Sequence, residues 1–264
     1  MRYAERVDAQ PDLPPPAAAP ESLAPARPRP SVAERATALL EVILCSDYPT
    51  QIALGATFAL LGFGPFDQAG QLRIGYVLVL QLLDSAILLA LIATFLRAHG
   101  ERPRDVLFGG RPVRVEAMAG FPLMFVAVAL AVVVLGLIQQ LAPWLHTVER
   151  NPLQDLIRSP RDAALFAVVA IVAGGVREEL QRAFLLHRFE RWLGGGGVGV
   201  VVTSAAFGFG HVLQGADAGI ATGLLGAFWA VVYLRRRSVV APVVSHSGFN
   251  LLQLGQFLIP GTGR

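Results

Sequence analysis

The sequence predicts an all-α, polytopic integral membrane helix bundle, with about seven transmembrane helices plus one interfacial amphipathic helix. Three observations predict it. First, 54% of the 264 residues are apolar and only 16% are charged, against about 45–50% and about 25% in ordinary soluble domains. Second, the apolar residues fall in continuous blocks of the length that spans a bilayer as a helix. They do not alternate every second residue, as the strands of a membrane barrel would. Third, arginines gather in alternate connections between the blocks. A soluble enzyme, a secreted disulfide scaffold and a disordered chain are all poor fits.

Residues 1–30 form a first region. Pro11, Pro14, Pro15, Pro16, Pro20, Pro25, Pro28 and Pro30 interrupt any helix there. With few apolar residues to bury, this reads as a disordered cytoplasmic tail with polyproline character. Residues 31–49 follow as the interfacial helix. Ser31 can cap it, and Ala36, Leu39, Leu40, Ile43 and Leu44 share one face, with Glu34, Arg35, Glu41 and Asp47 off that face. Pro49 is expected to end it.

The spans are expected near 50–66, 74–97, 115–141, 162–190, 197–214, 218–234 and 238–259. The first two, with the basic loop after them, make an N-terminal region 50–114; the rest make a core of 115–260. Arg97, Arg102, Arg104, Arg111 and Arg114 flank the second connection, Arg188 and Arg191 the fourth, and Arg235, Arg236 and Arg237 the sixth. The positive-inside rule makes that side cytoplasmic, and with it the N-terminus. Arg150, Arg158 and Arg161 in the third connection count the other way. The run Gly194–Gly197 reads as a turn between spans, since a phosphate loop would need a lysine and a soluble helix after it.

Charge adds little to function. Twenty-two basic and nineteen acidic residues leave +3, and every basic residue is Arg. Their place in connecting loops marks topology and not a nucleic-acid patch, so no nucleic-acid partner is expected. Cys45 is the sole cysteine, which excludes an intrachain disulfide and a thiolate metal cluster.

Function is sought where the membrane should hold no charge. Each ionisable group there costs about 2.5–3.5 kcal/mol on insertion scales. Span four holds Glu178, Glu179 and Arg182, span five His211, and span seven His246 and Asn250. Glu178 and Arg182 are four apart, and Glu179 and Arg182 three apart, so either glutamate can meet the arginine. His246 and Asn250 repeat the four-residue spacing, as do Phe207 and His211. Gly208 and Gly210 would let another helix or a substrate approach. The chemistry these groups offer is water activation, with a carboxylate as general base and an imidazole to position water or hold a metal. Asn250 could donate to an oxyanion. Glu178, His211 and His246 could also hold a divalent metal such as zinc. No His-Glu-x-x-His helix and no Gly-x-Ser-x-Gly elbow is present. Asp84, in span two, reads as an interhelical hydrogen-bonding group, and His99, His146 and His187 as ordinary residues at span ends.

Three segments then carry a family resemblance. They are Arg177-Glu178-Glu179-Leu180-Gln181-Arg182, Phe207-Gly208-Phe209-Gly210-His211 and His246-Ser247-Gly248-Phe249-Asn250. They resemble the Glu-Glu-x-x-x-Arg, Phe-x-x-x-His and His-x-x-x-Asn motifs of the CPBP family, the CAAX proteases and bacteriocin-processing enzymes, over roughly residues 115–260. One departure stands out: with Glu178-Glu179 as the glutamate pair, the preferred alignment because it keeps both carboxylates, Arg182 comes one residue early and Ala183 takes the family's arginine position; with Arg182 fixed, Arg177 stands where the first glutamate belongs. The resemblance implies an intramembrane endopeptidase, of a family called metalloproteases. The first glutamate and the second-motif histidine would activate water, and the third-motif His and Asn would support the site. Its implied partners are the lipid bilayer and a membrane-associated protein or peptide substrate. The composition hints at a bacterial chain, hence an inner-membrane location. Two readings from other classes compete: a non-catalytic membrane scaffold or bacteriocin-immunity protein of the same fold, and a small proton-coupled transporter.

Overall fold

The computed structural model describes residues 30–149 and 151–258, the side chains of 257 and 258 excepted. Residues 1–29 of the expected Pro-rich tail, and Arg150, lie outside the described residues. Within them the regular structure is helical, with one isolated bridge between Phe66 and Leu72.

Helix α1 spans Val32–Leu44, and its start is the one expected. Ser31 Oγ accepts from the Glu34 amide at 3.2 Å, and the Ser31 amide donates to Glu34 at 2.7 Å. Two of the helix's orphan donors are satisfied reciprocally. Leu39, Leu40 and Ile43 point outward and are exposed, while Ala38 and Glu41 are buried. That arrangement inverts a soluble amphipathic helix and suits one whose apolar face meets lipid. Helix α1 ends at Leu44, not at Pro49. Pro49 instead opens α2 (Tyr48–Leu60), where its missing N–H has no partner to lose.

Helices α3 (Ile74–Ala98), α4 (Pro103–Leu107) and α5 (Val113–Leu141) follow. Next come 3-10 turns at Pro143–Leu145 and Pro152–Leu156. Span four is one rod made of α6 (Pro160–Val169), a π-helical segment (Ala170–Arg177) and α7 (Glu178–Trp192). Gly194 and Gly195, at φ 101° and 99°, make the expected turn into α8 (Gly196–Gly210). Helices α9 (Ala216–Arg236) and α10 (Val240–Leu258) complete the bundle. Of these, α3, α5 and α9 are long and apolar enough to cross a membrane, and α8 is a shorter apolar helix. Large apolar side chains stand exposed along α5, among them Phe121, Phe125, Val133 and Leu137. These are the features of an integral membrane protein.

Helix α7 lies at the centre, packed by α1, α3, α4, α8 and α9. Phe184 and Leu185 face Cys45, Leu88, Ile92 and Leu96 on one side. Ala183 and Leu186 face Leu107, Ala230, Tyr233 and Val239 on the other. Beyond them α5 lies along α10, and α8 along α9. A Cβ at Gly208 would sit 2.6 Å from the Gly219 carbonyl oxygen, so α8 meets α9 backbone to backbone. This is the small-residue contact that membrane helices favour.

Candidate active site

The site is built around the π-helical segment. Its sequence, Ala-Ile-Val-Ala-Gly-Gly-Val-Arg, has two adjacent glycines, which hold an α-helix poorly. Such π segments recur at functional sites. The glycines also let α10 come close. A Cβ at Gly174 would lie 2.7 Å from Asn250 Nδ2, and one at Gly175 only 1.9 Å from Ser247 Oγ. Asn250 Nδ2 donates to the Ala170 carbonyl at 3.2 Å, pinning the segment's start to α10.

Glu178 and Glu179 follow at once. Consecutive helical residues point about 100° apart, so the two carboxyls enter different surroundings. Glu179 is 1% exposed and pairs with Arg182 on its own helix. The same Oε1 lies 2.8 Å from His246 Nδ1. Arg182 lies over the Phe207 ring, 4.7 Å from its centroid, and Trp229 stacks on His246 at 3.8 Å. Glu179 therefore serves as the shared acceptor for two groups that aromatic rings hold in place.

Glu178 is more open, its side chain 14% exposed. It makes no direct hydrogen bond among the described residues. Arg177 Nη2 stands 3.7 Å from Oε1, and His246 Nε2 3.9 Å from Oε2. The latter gap is too long for a direct bond and of the size that a bridging water fills. His246 donates from Nδ1 to Glu179, so in the neutral ring Nε2 is the acceptor turned toward Glu178.

His211 caps α8, and its Nδ1 lies 2.8 Å from the Phe207 carbonyl. A carbonyl only accepts, so Nδ1 carries the hydrogen and Nε2 keeps its lone pair. The Phe207 ring joins the parts, at 4.7 Å from the His211 ring and 6.2 Å from the His246 ring.

The structure thus brings Glu178, Glu179, Arg182 and His246 together. His211 stands across Phe207, and Asn250 is spent on the π segment. Between the two spacings open to Arg182, the i,i+3 pair with Glu179 forms. This answers the one-residue departure from the motif, because i+3 and i+4 are both neighbours on a helix face. Glu178, His211 and His246 do not converge as a ligand set. Among the described residues no three His, Cys, Asp or Glu side chains are placed to hold a metal ion. Among the described residues His211 makes no ion pair or hydrogen bond with either glutamate; its Nδ1 is bonded to the Phe207 carbonyl.

Sequence reasoning missed a second polar layer on the far side of Glu178. Arg177, 3% exposed, pairs with Asp47 at 2.8 Å and donates to Gln181 at 3.2 Å and Gln81 at 3.4 Å. Gln181 reaches the Cys45 carbonyl at 2.8 Å. Asp84 is fully buried and accepts from Thr50 of α2, so its interhelical role is met. Arg177, directly before the glutamates, was visible in sequence; Asp47 carried no signal.

A further ion-pair network closes one end of the bundle. Arg188, fully buried, donates to Glu41 at 2.5 Å and Glu101 at 2.6 Å. His99 pairs with Glu41 and His187 with Glu101, both at 2.7 Å. Burial would raise the Glu101 carboxyl, but hydrogen bonds from His187 and Arg188 outweigh it and lower it to about 2. His146 is likewise paired, with Asp217 at 2.7 Å, so none of the three end-of-span histidines stands alone.

Residues 160–252 match the family model described as Type II CAAX prenyl endopeptidase Rce1-like. The matched segment runs from the start of α6 into α10 and contains all six residues singled out from the three motifs. The resemblance those motifs carry is upheld. No curated protein and no solved structure matches the chain.

Proposed function

We propose, from a membrane helix bundle with an Rce1-like segment, that the chain is an intramembrane endopeptidase acting on membrane-associated proteins or peptides. One observation carries the reading: Glu178 is held without a direct hydrogen bond, with His246 Nε2 on one side and the Arg177 guanidinium on the other. A carboxylate placed so can take a proton from water as the water oxygen attacks a peptide carbonyl carbon. The same proton then passes to the leaving amine nitrogen as the C–N bond breaks. Glu179 and Arg182 orient His246, and the Nε2 lone pair of His211 is available to the attacking water or its substrate. Asn250 holds the π segment in place.

Among the described residues no three His, Cys, Asp or Glu side chains are grouped to hold a metal ion, and the proposed steps route nothing through one. We further place the N-terminus and the arginine-rich connections on the cytoplasmic side of a plasma membrane spanned by seven helices. The test is cleavage of a membrane-associated reporter peptide by the purified full-length protein, with and without a chelator. Cleavage in both conditions supports the reading. Complete loss with the chelator, reversed by adding a divalent metal, contradicts the metal-free form. A scaffold or immunity protein of this fold would cleave nothing.

A further inference from the structure

Asp47 occupies the turn between α1 and α2 with φ 81° and ψ −35°. Only glycine adopts that region freely, and a side chain there is strained. Two non-glycine residues among those described have positive φ, Asp47 and Arg237. Strain of this kind persists where the surroundings enforce it, and it points toward a use for the side chain. A glycine would make the same turn without strain, so the carboxyl is what this position gains.

One oxygen of the carboxyl, Oδ2, is engaged with the site's flank, while Oδ1 is buried without a hydrogen-bond partner among the described residues. Asp47 Oδ2 lies 2.8 Å from Arg177 Nη1 and accepts from Gln51 at 2.8 Å. Arg177 presents its other terminal nitrogen, Nη2, to Glu178 at 3.7 Å. One guanidinium thus bridges two carboxylates, Asp47 from the N-terminal helices and Glu178 from α7. Gln81 and Gln181 accept further hydrogen bonds from it. Arg177 is a long side chain with several rotamers. Beside these two neutral amides, Asp47 is the carboxylate that meets Nη1, as Glu178 is the one that faces Nη2.

We infer that Asp47 is a positioning residue: it anchors Arg177 so that the guanidinium stays beside Glu178. This rests on the peptidase reading for its consequence in catalysis. It also ties α1 and α2, which lie outside the segment matched by the family model, to the working of the site.

The test uses the full chain in lipid nanodiscs. Asp47→Gly removes the carboxyl while suiting the backbone, so the turn itself is kept. Asp47→Asn keeps an oxygen that can accept from Arg177. With Asp47→Gly, kcat should fall about tenfold or more, toward the ~100-fold that a misplacement of about an ångström can cost, with KM little changed. Asp47→Asn should keep most of the parent kcat. A purely structural role would lower the folded fraction and leave kcat per folded molecule unchanged, and that result overturns the inference. The unfolding midpoints of Asp47→Gly, Arg177→Met and the double variant give a readout without activity. A double variant less destabilised than the sum of the singles shows the anchor; additive shifts refute it. If the parent cleaves nothing, or if Glu178→Gln cleaves like the parent, the peptidase reading fails, while the midpoints still decide whether Asp47 anchors Arg177.

Discussion

His246 Nδ1 lies 2.8 Å from Glu179 Oε1, and that bond turns the other ring nitrogen, Nε2, toward Glu178. The two adjacent glutamates therefore have different duties, and substitution should separate them. Glu179→Gln leaves a buried Arg182 without its carboxylate, and breaking a buried pair costs about 3–5 kcal/mol. It should lower the unfolding midpoint well below that of Glu178→Gln, whose side chain is partly exposed and unbonded. Midpoints of the two variants in the same detergent check this. A larger loss for Glu178→Gln would reverse the assignment.

The approach of α10 to the π segment should be intolerant of a single methyl. A Cβ at Gly175 would fall 1.9 Å from Ser247 Oγ and 3.0 Å from Ser247 Cβ. Overpacking of this kind costs about 1–3 kcal/mol. Gly175→Ala should lower the unfolding midpoint, and Ser247→Gly added to it should recover part of the loss. No recovery would mean that the glycine is needed for the π geometry itself and not for the contact.

Acid should weaken the network at Arg188. The Glu101 carboxyl is held at about 2 against an ordinary value of 4.5. A lowered carboxylate contributes stability that is fully present above the unfolded value and is lost as pH falls through the folded one. Below pH 4.5 the difference in unfolding midpoint between the parent and Glu101→Gln should shrink toward pH 2. A difference that grows on acidification would contradict the pairing.

Orientation can be read with one introduced cysteine at a time. Cys45 is the sole native thiol, fully buried, and burial beside Glu41 pushes it up to about 12, so it should stay silent to maleimides. Cysteines placed near Arg104, Arg191 and Arg236 should be shielded from an impermeant reagent in intact cells and label after permeabilisation. Labelling from outside would invert the proposed topology.

Much of this was legible in the sequence, for local reasons. Apolar block length places the helical rods, and the three short motifs place polar groups on them, because spacing within one helix is fixed by its geometry. Which glutamate Arg182 would choose was not legible, since both spacings reach. Burial decides it: Glu179 points into the bundle, where an unpaired charge would be most costly. The π segment was not legible either, because its two glycines read equally well as ordinary small residues. By sequence Pro49 suits a helix stop, and in the structure it opens α2, as proline suits a first turn. Asp47 and Arg177 meet through tertiary packing alone, which no periodicity reports.

Steady-state cleavage of a membrane-associated reporter peptide by the parent and by Glu178→Gln is the most direct measurement. The substitution keeps size and hydrogen-bonding capacity while removing the base, so both proteins should reach the same folded yield. A general base contributes about 10²–10⁴-fold, and kcat should fall on that scale with KM little changed. Cleavage by Glu178→Gln at the parent rate would contradict the role given to Glu178.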